Sequence, residues 1–248
     1  MNFLFIPLIA ILGWLCGVIL NYLADVLPRT RRLRSPQCHQ CENKITLVDY
    51  VLIRKCRQCG NRRTKRTYLV QILSLILVPV VYLFPPQLFG FWLSLPYFLY
   101  FALIFIMDVE YRVVLYEVVG AGILISIPMG IYWNGLVDTI IGGLAGFGIM
   151  FILYYFGVLF NRWVSKRRGE HIEEVALGFG DVNLSGILGL LLGWPKIAIS
   201  LFFSVVLGGV FSGLYLVIHV LARRYRPFTA IPYAPFLVII AVVLFYLA

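Results

Sequence analysis

The sequence contains few charged residues. Of its 248 residues, 13% are charged and 61% are hydrophobic, and the only sizeable polar segment covers residues 29–66. A composition this apolar excludes an ordinary soluble domain and is typical of a polytopic membrane protein.

Acidic residues are scarcer than basic ones. The chain has 11 aspartates and glutamates against 21 lysines and arginines, for a net charge of +10. In a soluble protein this excess would favour nucleic acid as a partner, but in a membrane protein basic residues first report topology. We therefore expect the lipid bilayer, and no nucleic acid, as the surroundings of this chain.

Eight apolar segments approach the roughly 20 residues that a membrane-spanning helix needs. Their approximate bounds are 3–25, 68–84, 89–107, 113–133, 137–160, 182–193, 197–221 and 231–247. The sixth is short, so it is either a short or tilted span or a partly re-entrant segment. We predict an all-α polytopic protein with about eight transmembrane helices.

Eight crossings divide the connections into two alternating sets, which should differ in basic charge. All lysines and arginines except Lys196 fall in one set, which holds Arg112, residues 162–168 and 223–226, and the long polar segment. The sequence therefore predicts that this side is cytoplasmic and that both termini lie outside. The first apolar segment lacks a basic start and is long for a signal peptide, so we interpret it as a retained anchor.

The chain has only five cysteines, and four of them form two CxxC pairs in the polar segment. Cys38, Cys41, Cys56 and Cys59 at this spacing predict a zinc-ribbon-like site with four sulfur ligands. The alternative, two disulfides, is disfavoured by a reducing cytosol.

Other residues around the cysteine pairs receive smaller roles. Arg54, Lys55 and Arg57 would offset the negative charge of the thiolates, and His39 is interpreted as a solvated bystander. The fifth cysteine, Cys16, is interpreted as a packing residue in the first span. This predicts three parts: a first transmembrane helix (1–27), a cytoplasmic zinc-binding segment (28–67) and a seven-helix membrane body (68–248).

Two aspartates lie at the ends of apolar segments on the predicted cytoplasmic side. Asp108 ends the third segment and Asp181 opens the sixth, and ionisable residues at such positions are candidates for function. If they meet in a pocket of low dielectric, one keeps a proton while the other acts as a base, as in an aspartic protease. The alternative is two edge residues that never meet.

Two glycines lie within the three residues before Asp181. Gly178 and Gly180 either let a substrate backbone approach the carboxylate or allow tight packing between helices. The sequence leaves both interpretations open.

Together these motifs resemble the bacterial type IV prepilin leader peptidases. The resemblance rests on five matches in chain order: Gly13, Gly17, Asn21 and Leu27-Pro28; the two CxxC pairs followed by residues 66–70; Asp108 at the end of a span; a GxGD signature at 178–181; and Ile231-Pro232-Tyr233-Ala234-Pro235-Phe236. It implies a membrane aspartic endopeptidase of the bacterial inner membrane, with Asp108 and Asp181 as the catalytic pair. It also implies prepilins or pseudopilins as substrates, cut behind their basic leader.

The resemblance further implies, for many members, N-methylation of the new N-terminus from S-adenosylmethionine. The chain departs from the family pattern at Leu115-Tyr116, where a Pro-Asp pair is common, at Asn183 in place of Lys, and at Gln71 in place of Glu. None of these departures touches the catalytic pair. Loss of a carboxylate at Gln71, near the predicted methylation region, leads us to expect cleavage with weak or absent methylation.

Two other functions are consistent with the residues alone. One is a transporter in which Asp108 and Asp181 bind a proton or cation, although transport sites usually lie near the midplane of the membrane. The other is a noncatalytic assembly protein that docks a partner through its zinc segment. Glu170, Glu173 and Glu174 either attract the basic leader or form a solvated loop.

Overall fold

The computed structural model describes residues 5–87, 89–168, 177–222 and 232–247. Within these ranges the chain is helical, with one isolated β-bridge and no strand. The helices are α1 (Ile6–Thr30), α2 (Leu47–Val51), α3 (Lys65–Leu83), α4 (Gly90–Tyr111), α5 (Tyr116–Arg168), α6 (Phe179–Leu192), α7 (Lys196–Leu221) and α8 (Ala234–Leu247). The predicted all-α membrane fold is confirmed.

Five of the described helices are long and apolar enough to cross a membrane, namely α1, α3, α4, α5 and α7. Helices α6 and α8 are apolar but shorter, with 14 residues each. Helix α5 is interrupted at Gly135, whose φ of 78° and ψ of 167° are not helical. Its two parts correspond to the fourth and fifth apolar segments of the sequence, so every predicted segment has a helical counterpart. The number of crossings stays a prediction.

The chain divides into two compact units, Met1–Met107 and Asp108–Leu247, and α4 contributes residues to both. The cysteine segment thus belongs to the same unit as α1 and α3. Several residues of interest lie outside the described part of the chain, namely Glu170, Glu173, Glu174, Arg223, Arg224, Arg226 and Ile231.

In the first unit, α1 and α3 pack antiparallel. They approach closely because small residues on α1 leave room for α3. A Cβ on Gly13 would lie 2.7 Å from the Ser74 carbonyl oxygen, and one on Gly17 would lie 3.0 Å from the Gln71 side chain. The Gln71 amide donates to the Trp14 carbonyl (2.7 Å), and the Asn21 amide donates to the Thr67 carbonyl (3.2 Å). These buried hydrogen bonds fix the register of the pair.

In the second unit, α6 packs antiparallel against the second part of α5. The closest approach is between Gly142 and Gly189, where a Cβ on either residue would overlap the carbonyl oxygen of the other. Close backbone approach through small residues is the usual basis of helix association in membranes. The ring of Phe179 completes the contact against Tyr154 at the other end of α6, with centroids 5.7 Å apart. This interface sets the position of the first turn of α6.

Candidate active site and cysteine cluster

Asp181 lies in the first turn of α6 and is buried, with 6% of its surface exposed. Its carboxylate accepts a hydrogen bond from the Gly178 amide (3.2 Å), and its own amide donates to the Gly178 carbonyl (3.1 Å). This is the carboxylate half of a capping box. The amides at a helix N-terminus favour a carboxylate partner, so the Gly178 amide helps to hold the Asp181 side chain at the start of α6.

Asp108 lies near the end of α4 and is buried to the same extent. Its carboxylate accepts a hydrogen bond from the amide of Ala234 (3.1 Å), which is the first residue of α8. Both candidate catalytic aspartates therefore accept hydrogen bonds from backbone amides at helix N-termini. The sequence analysis placed Ala234 in a family motif but did not predict its contact with Asp108, although Pro235 directly after it is typical of a helix start.

The structure places both aspartates in the second unit, where their charges interact. The Asp181 carboxylate interacts electrostatically with Asp108, and the Tyr233 hydroxyl interacts electrostatically with Asp181. Arg112, just beyond α4, lies within electrostatic range of Asp108. Two interacting carboxylates that are largely removed from water favour a state with a single negative charge. Such a pair can hold a base and an acid side by side.

The two glycines before Asp181 have different surroundings. A Cβ on Gly180 would lie 2.8 Å from the Cβ of Val114, so Gly180 allows close packing against the segment between α4 and α5. Gly178 is exposed, and a Cβ there would meet only ordinary contacts with Asp181 and Gly180. Of the two glycines, Gly178 leaves room beside the carboxylate.

The four paired cysteines form one cluster, in which all sulfur atoms lie within 4.8 Å of one another. The sulfurs of Cys38 and Cys59 are 3.6 Å apart, as are those of Cys41 and Cys56. None of the four forms a disulfide. Zinc bound tetrahedrally at about 2.3 Å from each thiolate places the sulfurs about 3.8 Å apart. The observed spacing fits such an ion, and the cluster is consistent with a zinc-ribbon-like segment.

Each CxxC turn has the same hydrogen-bond pattern. The amide of the fourth residue after the first cysteine donates to that cysteine's carbonyl, from Glu42 to Cys38 (3.0 Å) and from Gly60 to Cys56 (2.9 Å). Amides in these turns also face the thiols. Hydrogen bonds from Cys59 and Gln58 lower the pKa of Cys56 to about 6. The local backbone therefore favours the thiolate form of Cys56, which is the form that binds metal.

Two basic residues of the segment, Arg54 and Arg57, pair with Asp49 of α2. Arg57 contacts both of its carboxylate oxygens (2.7 and 3.0 Å), and Arg54 lies 3.7 Å away. Arg57 holds the pKa of the Asp49 carboxyl below its usual value. Of the three cations predicted to offset the thiolates, Arg54 and Arg57 thus pair with Asp49, and Arg57 joins α2 to the second CxxC turn.

A buried carboxylate at the end of α1 joins the cysteine segment to the membrane helices. Asp25 accepts hydrogen bonds from the Tyr50 hydroxyl (2.6 Å) and from Arg66 of α3, and His39 lies 3.5 Å away. His39 also contacts Arg29, so it is not the solvated bystander that the sequence suggested. Sequence reasoning missed this network because its members are up to 41 residues apart.

Gln71 is buried between α1 and α3. Its Nε2 donates to the Trp14 carbonyl, and its Oε1 faces the Asn21 amide at 3.5 Å. A carboxylate at this position has no hydrogen to donate to Trp14. In this chain the carboxamide therefore serves helix packing.

Comparison with known proteins agrees with this geometry. The family model described as the type IV leader peptidase family matches residues 95–213, a range that contains both Asp108 and Asp181. No solved structure matches the chain significantly.

Two curated relatives are similar over most of the chain. A prepilin leader peptidase/N-methyltransferase of Aeromonas salmonicida is 25% identical over 221 residues, which cover 82% of this chain and 67% of the relative. A protein of the same description from Aeromonas hydrophila is 28% identical over 214 residues, which cover 82% of this chain and 68% of the relative. The family model, the relatives and the order of the motifs agree, and the chain resembles the type IV leader peptidase family.

Proposed function

We propose that this protein is a membrane aspartic endopeptidase that removes the leader of prepilin-like or pseudopilin-like substrates. The observation that carries the proposal is the pair of buried aspartates, each held by an amide at a helix N-terminus and each within range of the other's charge. The family match and the curated relatives support the same activity.

The proposed mechanism divides the work between the two carboxyl groups. The ionised group takes a proton from a water molecule, and the oxygen of that water attacks the scissile carbonyl carbon. The protonated group donates a hydrogen bond to the carbonyl oxygen, which becomes negative as the tetrahedral intermediate forms. Collapse of the intermediate breaks the C–N bond, and the departing amine receives the proton that the first carboxyl group took from water. Asp108 and Asp181 act as a unit in these steps.

The test of the pair is replacement of each aspartate by asparagine in protein purified in detergent or lipid, with a prepilin-like substrate. We expect Asp108→Asn and Asp181→Asn to lower cleavage by roughly 10²–10⁴-fold or more, since each removes a proton donor or acceptor. Asp138→Asn is the matched control because Asp138 is exposed. Full cleavage by either asparagine variant of the pair would refute the assignment. A transporter or an assembly protein would show no cleavage in the unaltered chain either.

The cysteine cluster is proposed to hold one structural zinc ion through Cys38, Cys41, Cys56 and Cys59. Four thiolate ligands leave no open coordination position, so the ion would stabilise the segment and take no part in the hydrolysis. A segment of this size cannot bury much apolar surface, and metal binding would supply much of its folding free energy.

The cleavage site is proposed to lie at the cytoplasmic face of a bacterial inner membrane, with both termini outside. The basic residues favour this orientation. Labelling of cysteines placed at Lys166 and Lys196 tests it, because the two positions should be accessible from opposite sides. Labelling of both from one side would contradict the topology.

Methylation is proposed to be weak or absent in this chain, in contrast to what the names of its relatives imply for them. Gln71 carries no charge that would pair with the cationic cofactor S-adenosylmethionine or with the new amine. Mass analysis of the mature substrate after addition of the cofactor tests this. Quantitative N-methylation would show that Gln71 is no impediment.

A further inference from the structure

The short helix α2 and the residue directly after it expose three apolar side chains. Leu47, Val48 and Leu52 have 71%, 62% and 51% of their surface exposed, whereas Asp49 and Tyr50 are buried at 2% and 5%. An ordinary surface helix shows the opposite arrangement, with apolar residues facing the core. We call Leu47, Val48 and Leu52 the α2 patch. An apolar surface of this kind, outside the spanning helices, indicates a contact that the unit does not provide for itself.

Hydrogen bonds place α2 beside the end of a spanning helix. The Tyr50 hydroxyl binds Asp25 of α1 at 2.6 Å, and the ring of Tyr50 packs edge-on against Tyr22, with centroids 6.2 Å apart. Asp25 lies five residues before Thr30, the last residue of α1.

The length of α1 relates this contact to the bilayer. With 25 residues, α1 is about 38 Å long at 1.5 Å per residue, whereas the hydrocarbon layer is about 30 Å thick. The first turns of α1 are apolar whereas its last turns carry Asp25 and Arg29, so the excess extends out of the hydrocarbon layer at the C-terminal end. Because Tyr50 is tied to Asp25 and not to the tip of the helix, α2 lies near the boundary of that layer.

The charge around α2 favours one kind of surface. Residues 28–67 carry twelve lysines and arginines against only Glu42 and Asp49, and Lys44 and Lys55 on either side of α2 are exposed. Basic residues close to a membrane helix bind anionic lipid headgroups. Apolar side chains next to them can enter the layer between headgroups and acyl chains, as in helices that lie on a membrane surface.

We propose that the α2 patch is an interfacial anchor that rests in an anionic leaflet. Leu47, Val48 and Leu52 enter the headgroup layer, and Lys44 and Lys55 bind the phosphates around them. The cysteine segment is then held against the bilayer at a second place, besides its covalent connections to α1 and α3. This inference depends only on α1 and α3 spanning the membrane, and not on the peptidase activity.

The experiment places a single fluorine label, 4-trifluoromethylphenylalanine, at Val48 in the full-length protein in lipid nanodiscs. The same label at Asn61, an exposed polar position of the cysteine segment, is the matched control. Fluorine signals are recorded with spin-labelled lipid and, separately, with a water-soluble relaxation agent, in discs of phosphatidylglycerol and of phosphatidylcholine.

In phosphatidylglycerol we expect spin-labelled lipid to broaden the signal at position 48 beyond detection and to leave the signal at position 61 sharp. The water-soluble agent should do the reverse. Broadening at position 48 should decrease in phosphatidylcholine and in the Lys44→Gln/Lys55→Gln variant. A signal at position 48 that responds to the aqueous agent as strongly as position 61 does would overturn the anchor. Equal broadening in both lipids would overturn the role of charge, and protection only on addition of a prepilin-like substrate would assign the patch to substrate binding instead.

Discussion

A substitution at the contact between Gly142 and Gly189 tests whether the packing of α6 determines the position of Asp181. In Gly142→Ala the new methyl group would lie 2.7 and 2.8 Å from two backbone carbons of Gly193 and would overlap the Gly189 carbonyl oxygen. Carbon atoms prefer separations of about 3.5–4.0 Å. Backbone atoms cannot rotate away, so α6 has to move outward by roughly 1 Å.

This displacement has two expected consequences. Overpacking of a well-packed interface costs about 1–3 kcal/mol, which for a protein of this size lowers the thermal midpoint by roughly 2–12 °C. In addition, α6 carries Asp181 in its first turn, and a misplacement of about 1 Å in a catalytic group can cost about 10²-fold in rate. We therefore expect cleavage to fall more than stability alone would explain.

The matched control is Gly148→Ala on the same part of α5, where an added methyl group meets no atom within 4 Å. Alanine is a better helix former than glycine by about 0.5–1 kcal/mol, so this variant should be as stable as the unaltered protein or more stable, with unchanged cleavage. Thermal unfolding in detergent and cleavage of a prepilin-like substrate at saturating concentration measure the two effects. Equal behaviour of Gly142→Ala and Gly148→Ala would refute the argument that this contact positions α6.

Three further predictions concern the first unit. Tyr50→Phe removes the hydroxyl that binds the buried Asp25, so we expect a loss of about 1–3 kcal/mol in its unfolding free energy, and unchanged stability would argue against the network. Cys56→Ser should abolish binding of one equivalent of zinc and make residues 28–67 sensitive to protease, and metal analysis that still finds one zinc per chain would contradict the four-sulfur site. Gln71→Glu removes the amide that donates to the Trp14 carbonyl. At neutral pH the loss of this hydrogen bond should cost roughly 1–3 kcal/mol of unfolding free energy and lower the thermal midpoint by several degrees. An unchanged midpoint would show that the amide is dispensable.

The helices could be predicted from the sequence because a spanning helix is a local property of composition and length. The break at Gly135 lies between the fourth and fifth predicted segments, and the CxxC spacing predicted the cluster, since ligand geometry depends on a short stretch of chain. Asp108 and Asp181 could be proposed because carboxylates are rare beside apolar segments.

Contacts between distant segments could not be predicted in the same way. The Ala234 amide is 126 residues from Asp108, and nothing in the local sequence of either residue specifies that pairing. The same applies to Tyr50 and Asp25, whose bond depends on how the cysteine segment folds back onto α1. The same reason explains the wrong interpretation of His39. Its neighbours in the sequence are polar, but in the structure it contacts Asp25 and Arg29 of α1.

The length of α6 bears on how water reaches a peptide bond at a membrane. Its 14 residues extend about 21 Å, roughly 9 Å less than the thickness of the hydrocarbon layer. Hydrophobic mismatch of this size is relieved by local thinning of the bilayer or by movement of polar groups into it. Either response shortens the path from bulk solvent to Asp181 in the first turn of the helix. A short helix thus shortens the distance that water, the second substrate of the proposed hydrolysis, has to travel.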